Sequence, residues 1–300
     1  MSEHVLIVGI DGVRYDALGE EPTPHLDALA ARGFLTPVQV NDAGPTISGP
    51  CWATILSGAL ADRHLIRDND LSPNALDAHP DVLRLAAVQR PRTARFAGAG
   101  WAPIVDAVSG GPLLADRGFF PPGDQAHLPD EWQVADQAVT DATVAFLDDH
   151  DGRDGSLVFC YLGGVDETGH LLGVGDEYRG FVRDSDTRLG ELLAALDRRP
   201  STEDWTVIVV TDHGHVDAGG HGGESDAERT AWIAAAGPGI PENSTLDAET
   251  VGDTPLKNNR VGDFRVRPGR VEQADVAGHT MHVLGLTPPP GTFGVRFGAR

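Results

Sequence analysis

Three short apolar runs in the sequence each end in an aspartate, and two of these aspartates have a histidine close by. The residues at the ends of the runs are Asp11, Asp166 with His170, and Asp212 with His213. Carboxylate and imidazole groups together form the ligand sets of hydrolytic transition-metal sites. In an open α/β sheet, ligands bind outside the carboxyl ends of the strands, so residues that follow three separate strands can converge there. The pattern therefore predicts a metal site assembled from distant parts of the chain.

The elements that must position these residues alternate between apolar strands and helical stretches. This alternation predicts a mainly parallel central sheet with helices on both faces, in a single α/β domain that spans 1–300. Strands are predicted at 4–10, 93–97, 157–162, 205–211 and 230–236. Helices are predicted at 23–33, with Gly33 as the stop, from just after Ser48 to about Gly58, and near 131–149, 176–198 and 274–285. The segments 99–130 and 237–270 have no clear period, and we expect loops or a small cap that faces the substrate.

The amino-acid composition limits the possible binding partners and the cellular location of the protein. The chain has 300 residues and a formal net charge of −22, which repels nucleic-acid backbones, so we do not expect a nucleic-acid polymer as a partner. Cys51 and Cys160 lie in unrelated segments and predict no disulfide framework. No apolar run approaches the roughly 18 residues that a membrane helix needs. Because a strand begins within three residues of the start, we expect no signal peptide and a cytoplasmic protein.

A second candidate feature is the run GPTISGPCWATILSG at 44–58, in which Ser48 precedes a helix. Backbone N–H groups at a helix N-terminus favour an anion, which suits a nucleophilic hydroxyl at Ser48. A serine before a helix is most often its N-cap, however, and that role involves no chemistry. Taken alone the N-cap is the more frequent role, whereas the three strand-end aspartates favour the nucleophile.

The order of the motifs resembles the alkaline phosphatase superfamily, and most closely its type I phosphodiesterase and nucleotide pyrophosphatase branch. The motifs that carry the resemblance are GIDGVRYD, PTISGPCWATILSG, DRHLIRDN, DETGH, TDHGH and GGHGG. Each short motif is weak alone, but six in the right order are specific. The segments TPHLDALAARG and ADVAGHTMHVLGL are also similar to family helices, so the resemblance covers nearly the whole chain. The resemblance implies an alkaline phosphatase-like fold and a metal-dependent hydrolase.

The resemblance also implies two divalent metal ions, typically zinc, with manganese or iron as alternatives. The ligands of one ion would be Asp11, Asp212, His213 and the oxygen of Ser48. The ligands of the other would be Asp166, His170 and a third histidine. We expect this histidine to be His221, which lies eight residues after His213 in a glycine-rich loop. His279 is the competing candidate and ranks lower, because it falls within a regular helical pattern.

With these ligands, the resemblance implies hydrolysis of a small-molecule phosphate ester through a covalent phosphoserine at Ser48. The substrate would be a diester, as for a phosphodiesterase or nucleotide pyrophosphatase, or a monoester. A phosphomutase or a phosphonate hydrolase would use the same metal core, although 59–156 is short for the cap of a mutase. A sulfatase is disfavoured because no arginine completes a CxPxR element, and the intact ligand set disfavours a noncatalytic binding protein.

The sequence departs from this branch at Cys51, three residues after Ser48, where related diesterases commonly have an asparagine that donates to phosphate. A thiol is only a weak donor, so the preference between monoester and diester stays open. Asn69 is the candidate replacement donor. The other candidates for substrate contact are Trp52, Trp101 and His215, for which packing or a solvated loop position is the alternative.

Overall fold

The computed structural model describes residues 2–101, 117–121, 126–241 and 271–299. The strands are β1 (Ser2–Ile10), β2 (Gly33–Gln39), β3 (Ala94–Ala99), β4 (Arg117–Phe119), β5 (Ser156–Leu162), β6 (Glu203–Val210) and β7 (Thr230–Ala236). They form one sheet in the order β2-β7-β6-β1-β5-β3-β4. The pairs β6–β1, β1–β5, β5–β3 and β3–β4 are parallel, whereas β7 is antiparallel to β6 and to β2. The prediction of a mainly parallel sheet is confirmed.

Helices cover both faces of this sheet. They are α1 (Ala17–Glu20), α2 (Pro24–Ala30), α3 (Ser48–Ser57), α4 (Ala61–His64), α5 (Val82–Gln89), α6 (Pro129–Asp149), α7 (Gly164–Leu172), α8 (Asp176–Asp197), α9 (Asp226–Arg229) and α10 (Asp275–Val283). Successive side chains of a strand point to opposite faces. Accordingly, Val5 and Ile7 of β1 belong to one core with α3, α5 and α10, while Leu6 and Val8 belong to a second core with α2, α6 and α8.

Strand β2 and the helix before it differ from the prediction. The helix predicted at 23–33 ends at Ala30, and Gly33 opens β2 instead of stopping the helix. A Cβ at Gly33 would lie 2.0 Å from the carbonyl oxygen of Ala235, so only glycine allows β2 to approach β7 this closely. Pro37 is compatible with the strand because β2 is at the edge of the sheet.

Short elements occupy parts of the chain for which no element is predicted. These elements are α1, α4, α5, α7, α9 and β4, the last of which lies within the segment 99–130 that is predicted to be irregular. Most of 99–130 and of 237–270, the expected substrate-facing loops, lies outside the described residues. Within the described ranges, no helix has both the length and the apolar character to cross a membrane.

The parallel strands β6, β1 and β5 are neighbours, so their carboxyl ends lie at one edge of the sheet. Asp11 directly follows β1, and Asp212 follows β6 after one residue. Helix α7, which carries Asp166 and His170, begins two residues after β5 ends. The topology therefore brings all three strand-end segments to the same edge, as the sequence predicts.

Candidate metal centre

The three strand-end aspartates lie together in the interior. Asp11 and Asp212 are fully buried, and Asp166 is 7% exposed. Burial, and then the carboxylate of Asp166, raise the pKa of Asp11 to about 7. Burial, and then the carboxylates of Asp11 and Asp166, raise the pKa of Asp212 well above its ordinary value. Among the described residues, the ion-pair partners of these carboxylates are histidines. Buried carboxylates at such short range favour the binding of cations between them.

The two oxygens of Asp11 have different surroundings. Oδ2 accepts a hydrogen bond from the indole N–H of Trp52 at 2.8 Å and another from the hydroxyl of Tyr161 at 2.7 Å. Oδ1 is buried and receives no hydrogen bond from the described residues. Asp212 shows the same division, since Oδ1 accepts the backbone N–H of Gly12 at 3.1 Å and Oδ2 is buried without a hydrogen-bond partner in the described part of the chain. Each carboxylate thus keeps one oxygen available for a metal ion.

These available oxygens face a single imidazole nitrogen. Nε2 of His213 lies 3.7 Å from Oδ1 of Asp11 and 3.2 Å from Oδ2 of Asp212. The hydroxyl of Ser48 lies 3.3 Å from the same nitrogen. Ligands of one tetrahedral zinc ion are separated by roughly 3.3 Å, given metal–ligand bonds of about 2.0–2.1 Å. The four side chains therefore fit one divalent ion.

A second set of ligand atoms lies beside the first. Nε2 of His170 is 3.4 Å from Oδ2 of Asp166 and 2.9 Å from Nε2 of His221, and the latter nitrogen is 3.5 Å from Oδ1 of Asp166. The rings of His213 and His221 stack with their centroids 3.8 Å apart, so the two sets are contiguous. Asp166, His170 and His221 fit a second divalent ion.

The pKa shifts of His213, His221 and Asp166 favour the metal-binding forms of these side chains, whereas the pKa values of Asp11, Asp212 and His170 are raised. Burial and the nearby imidazole of His221 hold the pKa of His213 well below its ordinary value, and burial lowers the pKa of His221. Burial alone would raise the pKa of Asp166, but hydrogen bonds from His170 and His215 outweigh it and hold this pKa well below the usual range. Neutral imidazoles and ionised carboxylates are the forms that bind metal.

Ser48 is the first residue of α3, and the N-cap position belongs to Ile47. No side chain caps this helix, so the hydroxyl of Ser48 is not engaged as an N-cap. Gly49 directly follows Ser48, and a Cβ at Gly49 would lie 2.4 Å from the carbonyl oxygen of Asp68. This contact packs the start of α3 against the loop that carries Asn69.

The candidate substrate-binding residues fall into two groups. Asn69 is exposed, and its Oδ1 accepts the backbone N–H of Gly49 at 2.8 Å, which places the amide next to Ser48. Trp101 is partly exposed, with its ring centroid 6.3 Å from that of Tyr161. Both residues therefore lie beside the metal-ligand clusters at partly or fully exposed positions.

The sequence predicts that His215 faces the substrate, but the structure places its side chain in the interior. His215 is fully buried and its Nε2 lies 2.8 Å from Oδ1 of Asp166. Trp52 is also fully buried, so it forms no part of a substrate wall and instead donates to Asp11.

His279, the competing third histidine, lies within α10 away from both sets. Its ring stacks on Phe297 with centroids 4.6 Å apart, and its Nδ1 accepts the backbone N–H of Phe297 at 3.3 Å. The groups of side chains in the described part of the chain that could hold a metal ion are Asp11, Asp212 and His213, and Asp166, His213, His215 and His221. Neither His279 nor His170 is in these groups, but His170, unlike His279, contacts Asp166 and His221. His215 is a close neighbour that the sequence alone does not identify.

Three positioning contacts have no clear signal in the sequence. Trp52 and Tyr161 orient Asp11, as described above. Asp136 of α6 accepts the backbone N–H groups of Gly163 and Gly164 at 3.0 Å each, which fixes the start of α7. An aspartate in a long amphipathic helix is usually a surface residue, so its role depends on the packing of α6 against α7.

The sheet and the paired ligand sets define an alkaline phosphatase-like protein. Residues 5–228 match the family model described as type I phosphodiesterase / nucleotide pyrophosphatase, and the chain belongs to this family. All seven candidate metal ligands, from Asp11 to His221, lie within the matched range.

Relatives agree with this assignment. Human ectonucleotide pyrophosphatase/phosphodiesterase family member 7 is 26% identical over 233 residues, which cover 70% of this chain and 47% of the relative. GPI ethanolamine phosphate transferase 1 of Yarrowia lipolytica is 30% identical over 172 residues, which cover 54% of this chain and 17% of the relative. The chain spans about half the length of the first of these relatives.

A solved structure shares the fold. An inactive variant of murine ectonucleotide pyrophosphatase / phosphodiesterase 5, in complex with AMP, superposes with a TM-score of 0.66 at 18% identity over 96% of each chain. At this level of identity the likeness concerns the fold.

Proposed function

We propose that this chain is a two-metal phosphoric ester hydrolase in which the hydroxyl of Ser48 attacks phosphorus. The observation that carries the proposal is the position of Ser48 Oγ, 3.3 Å from Nε2 of His213. The same nitrogen is near two buried carboxylate oxygens that form no hydrogen bond within the described ranges. Two divalent ions, preferably zinc and otherwise manganese or iron, would lower the pKa of the hydroxyl and neutralise charge on the phosphate when bound there.

The residues of the chain have distinct parts in this reaction. The Ser48 oxygen forms a bond to phosphorus while the bond to the leaving oxygen breaks, which produces a phosphoserine ester. Water then attacks the same phosphorus, and the bond to Ser48 breaks to release the product and restore the hydroxyl. Asn69 lies beside Ser48 with its Oδ1 occupied by the Gly49 N–H, so its side-chain N–H groups would donate to a non-bridging phosphate oxygen.

A diester is the first substrate class for this site. The family and its human relative are named as phosphodiesterases and pyrophosphatases, which cleave one ester or anhydride bond of a substituted phosphate. Three ionised aspartates and an ionised Ser48 carry four negative charges, which two divalent ions would balance. A nearly neutral centre accepts a diester monoanion without the further cations that a monoester dianion would favour.

Transfer to an alcohol is the second candidate. It is favoured by the 30% identity to an ethanolamine phosphate transferase over 54% of this chain. The first half of the reaction would be the same, and an alcohol rather than water would attack the phosphoserine ester.

The test uses the metal-loaded chain with chromogenic phosphate diesters, phosphate monoesters, phosphonate monoesters and sulfate esters, with and without glycerol as an acceptor. We expect the diesters to be cleaved fastest. Acid quenching during turnover, followed by peptide mass spectrometry, should show a phosphoryl adduct on the peptide that contains Ser48.

Three results would overturn parts of the proposal. Faster cleavage of sulfate esters would contradict the assignment to phosphate. If full turnover leaves no phosphoryl adduct and Ser48→Ala keeps the wild-type rate, Ser48 is not the nucleophile. A product that contains glycerol in preference to the water product would favour the transferase.

A further inference from the structure

His215 lies at the junction of the two halves of the metal centre. It stands in the loop after β6, close to Asp212 and His213, and its Nε2 contacts Oδ1 of Asp166 on α7 at 2.8 Å. Its Nδ1 accepts the backbone N–H of Gly220 at 3.0 Å. Both ring nitrogens of this fully buried side chain are therefore in use.

These two contacts determine the tautomer of His215. A backbone N–H can only donate, so Nδ1 must carry the lone pair and the proton of the neutral ring must be on Nε2. The Nε2–H group then donates to Asp166 and has no lone pair for a metal ion. Although His215 is close enough to belong to a metal-binding group, its hydrogen bonds prevent it from being a ligand.

The two other histidines of this loop have the opposite arrangement. Nδ1 of His221 lies 2.6 Å from the carbonyl oxygen of Thr46, and Nδ1 of His213 lies 3.2 Å from the carbonyl oxygen of Gly214. A carbonyl can only accept, so both Nδ1 atoms carry the proton and both Nε2 atoms carry a lone pair. Hydrogen bonds to the backbone thus give His213 and His221 the tautomer that can bind a metal ion, and give His215 the tautomer that donates to Asp166.

The space for His215 is provided by glycine. A Cβ at Gly169, between Asp166 and His170 on α7, would lie 2.9 Å from Cε1 and 3.0 Å from Nε2 of His215. Gly220, which donates to Nδ1, has a φ of +89°, in the left-handed region that favours glycine. The imidazole therefore packs against α7 and is held there by the loop.

We propose that His215 is a positioning residue that holds Oδ1 of Asp166, so that Oδ2 faces His170 for metal binding. This inference rests on the proposed metal-dependent function. It predicts that His215 controls the affinity of the site formed by Asp166, His170 and His221, without itself binding the metal ion. Loss of such an outer hydrogen bond typically weakens metal binding by about 10–100-fold.

The first experiment measures zinc affinity by competition with a chromophoric chelator. We expect wild type to bind two ions and His215→Met to bind one of them about 10–100-fold more weakly. His215→Gln can keep a donor to Asp166 and an acceptor for Gly220, so it should lie within a few-fold of wild type. His279→Gln, which also replaces a buried histidine, should match wild type.

The kcat at excess zinc is the second measurement. Excess zinc should restore most of the kcat of His215→Met, which a purely structural defect would not allow. Equal zinc affinity of wild type and His215→Met would overturn the role of His215 while leaving the metal-dependent function intact. A wild-type protein that binds no divalent ion would overturn both.

The tautomer can be read without any substitution at His215. Ring ¹⁵N chemical shifts of the wild-type protein should show Nε2–H for His215 in the metal-free and the zinc-loaded forms. His213 and His221 should carry their proton on Nδ1. Loss of the Nε2 proton of His215 on addition of zinc would identify it as a ligand and overturn the proposal.

Discussion

The indole N–H of Trp52 lies 2.8 Å from Oδ2 of Asp11, and this contact turns Oδ1 of the same carboxylate towards His213. Gly9 makes the contact possible, because a Cβ there would lie 2.4 Å from the indole ring. The hydroxyl of Tyr161 completes the hydrogen bonding of Oδ2. A buried tryptophan thus helps to orient a candidate metal ligand.

Trp52→Phe should keep most of the packing and remove the donor to Asp11. We expect zinc affinity at the site of Asp11, Asp212 and His213 to fall by about 10–100-fold. The matched control is Trp132→Phe, since Trp132 is equally buried but its indole N–H has no hydrogen-bond partner among the described residues. Titration with zinc measures the difference, and equal affinities of the two variants would contradict the role of Trp52.

Removal of divalent ions should abolish hydrolysis and lower the Tm, because ligands that bind only the folded state stabilise it by mass action. The untreated protein should contain about two ions per chain, in line with the two ligand sets. Zinc, manganese or iron should restore activity, whereas calcium should not, because histidine-rich sites disfavour it. Full activity with a single ion per chain would refute the two-metal arrangement.

Ser48→Ala should lower turnover by several orders of magnitude, because the covalent route is lost. Folding and most metal binding should persist, since Ser48 does not cap α3. Ser57→Ala is the control on the same helix, where Ser57 donates to the carbonyl of Ala53 at 2.6 Å. That variant should lose only about 1 kcal/mol of stability and keep its kcat. Comparable kcat values for the two variants would argue against Ser48 as the nucleophile.

Asn69→Asp should keep an acceptor for the Gly49 N–H while replacing the amide donor with a negative charge. We expect kcat/KM for a diester to fall about tenfold or more, mainly through KM, because a hydrogen bond to a charged group contributes about 1.5–3 kcal/mol. Asn74→Asp is the control, since the Oδ1 of Asn74 also accepts a backbone N–H, that of Leu76, in the same loop. Steady-state kinetics give both values, and an unchanged KM for Asn69→Asp would exclude contact with the phosphate.

His279→Gln should make the protein less sensitive to acid. Burial lowers the pKa of His279 to about 4, with His282 and Arg296 adding to the effect, whereas an unfolded histidine titrates near 6.5. The unfolded state therefore binds more protons between these values, and stability is lost as the pH falls from about 6.5 to about 4. Denaturant unfolding at pH 7 and pH 4.5 should show a smaller loss for the variant. Parallel losses in both proteins would assign the acid sensitivity to other groups.

The central strands could be predicted closely because each is a continuous apolar run, as expected for strands buried on both faces. The predicted strand at 157–162 corresponds to Ser156–Leu162, and the one at 230–236 corresponds to Thr230–Ala236. The edge strand β2 could not be predicted, because its register and its glycine are explained only by contact with β7. Local periodicity contains no information about such a neighbour.

The sequence by itself determined that three aspartates and their histidines meet at one edge, since parallel strands share the direction in which they end. It also predicted the residue types of two candidate metal sites. Only the tertiary structure decided which carboxylate oxygen of Asp11 is available for a metal ion. Trp52 and Tyr161, which donate to the other oxygen, are 41 and 150 positions away in the sequence. The same holds for His215. Histidine is a common metal ligand, but here a single backbone N–H fixes the ring proton on Nε2, so His215 is a hydrogen-bond donor.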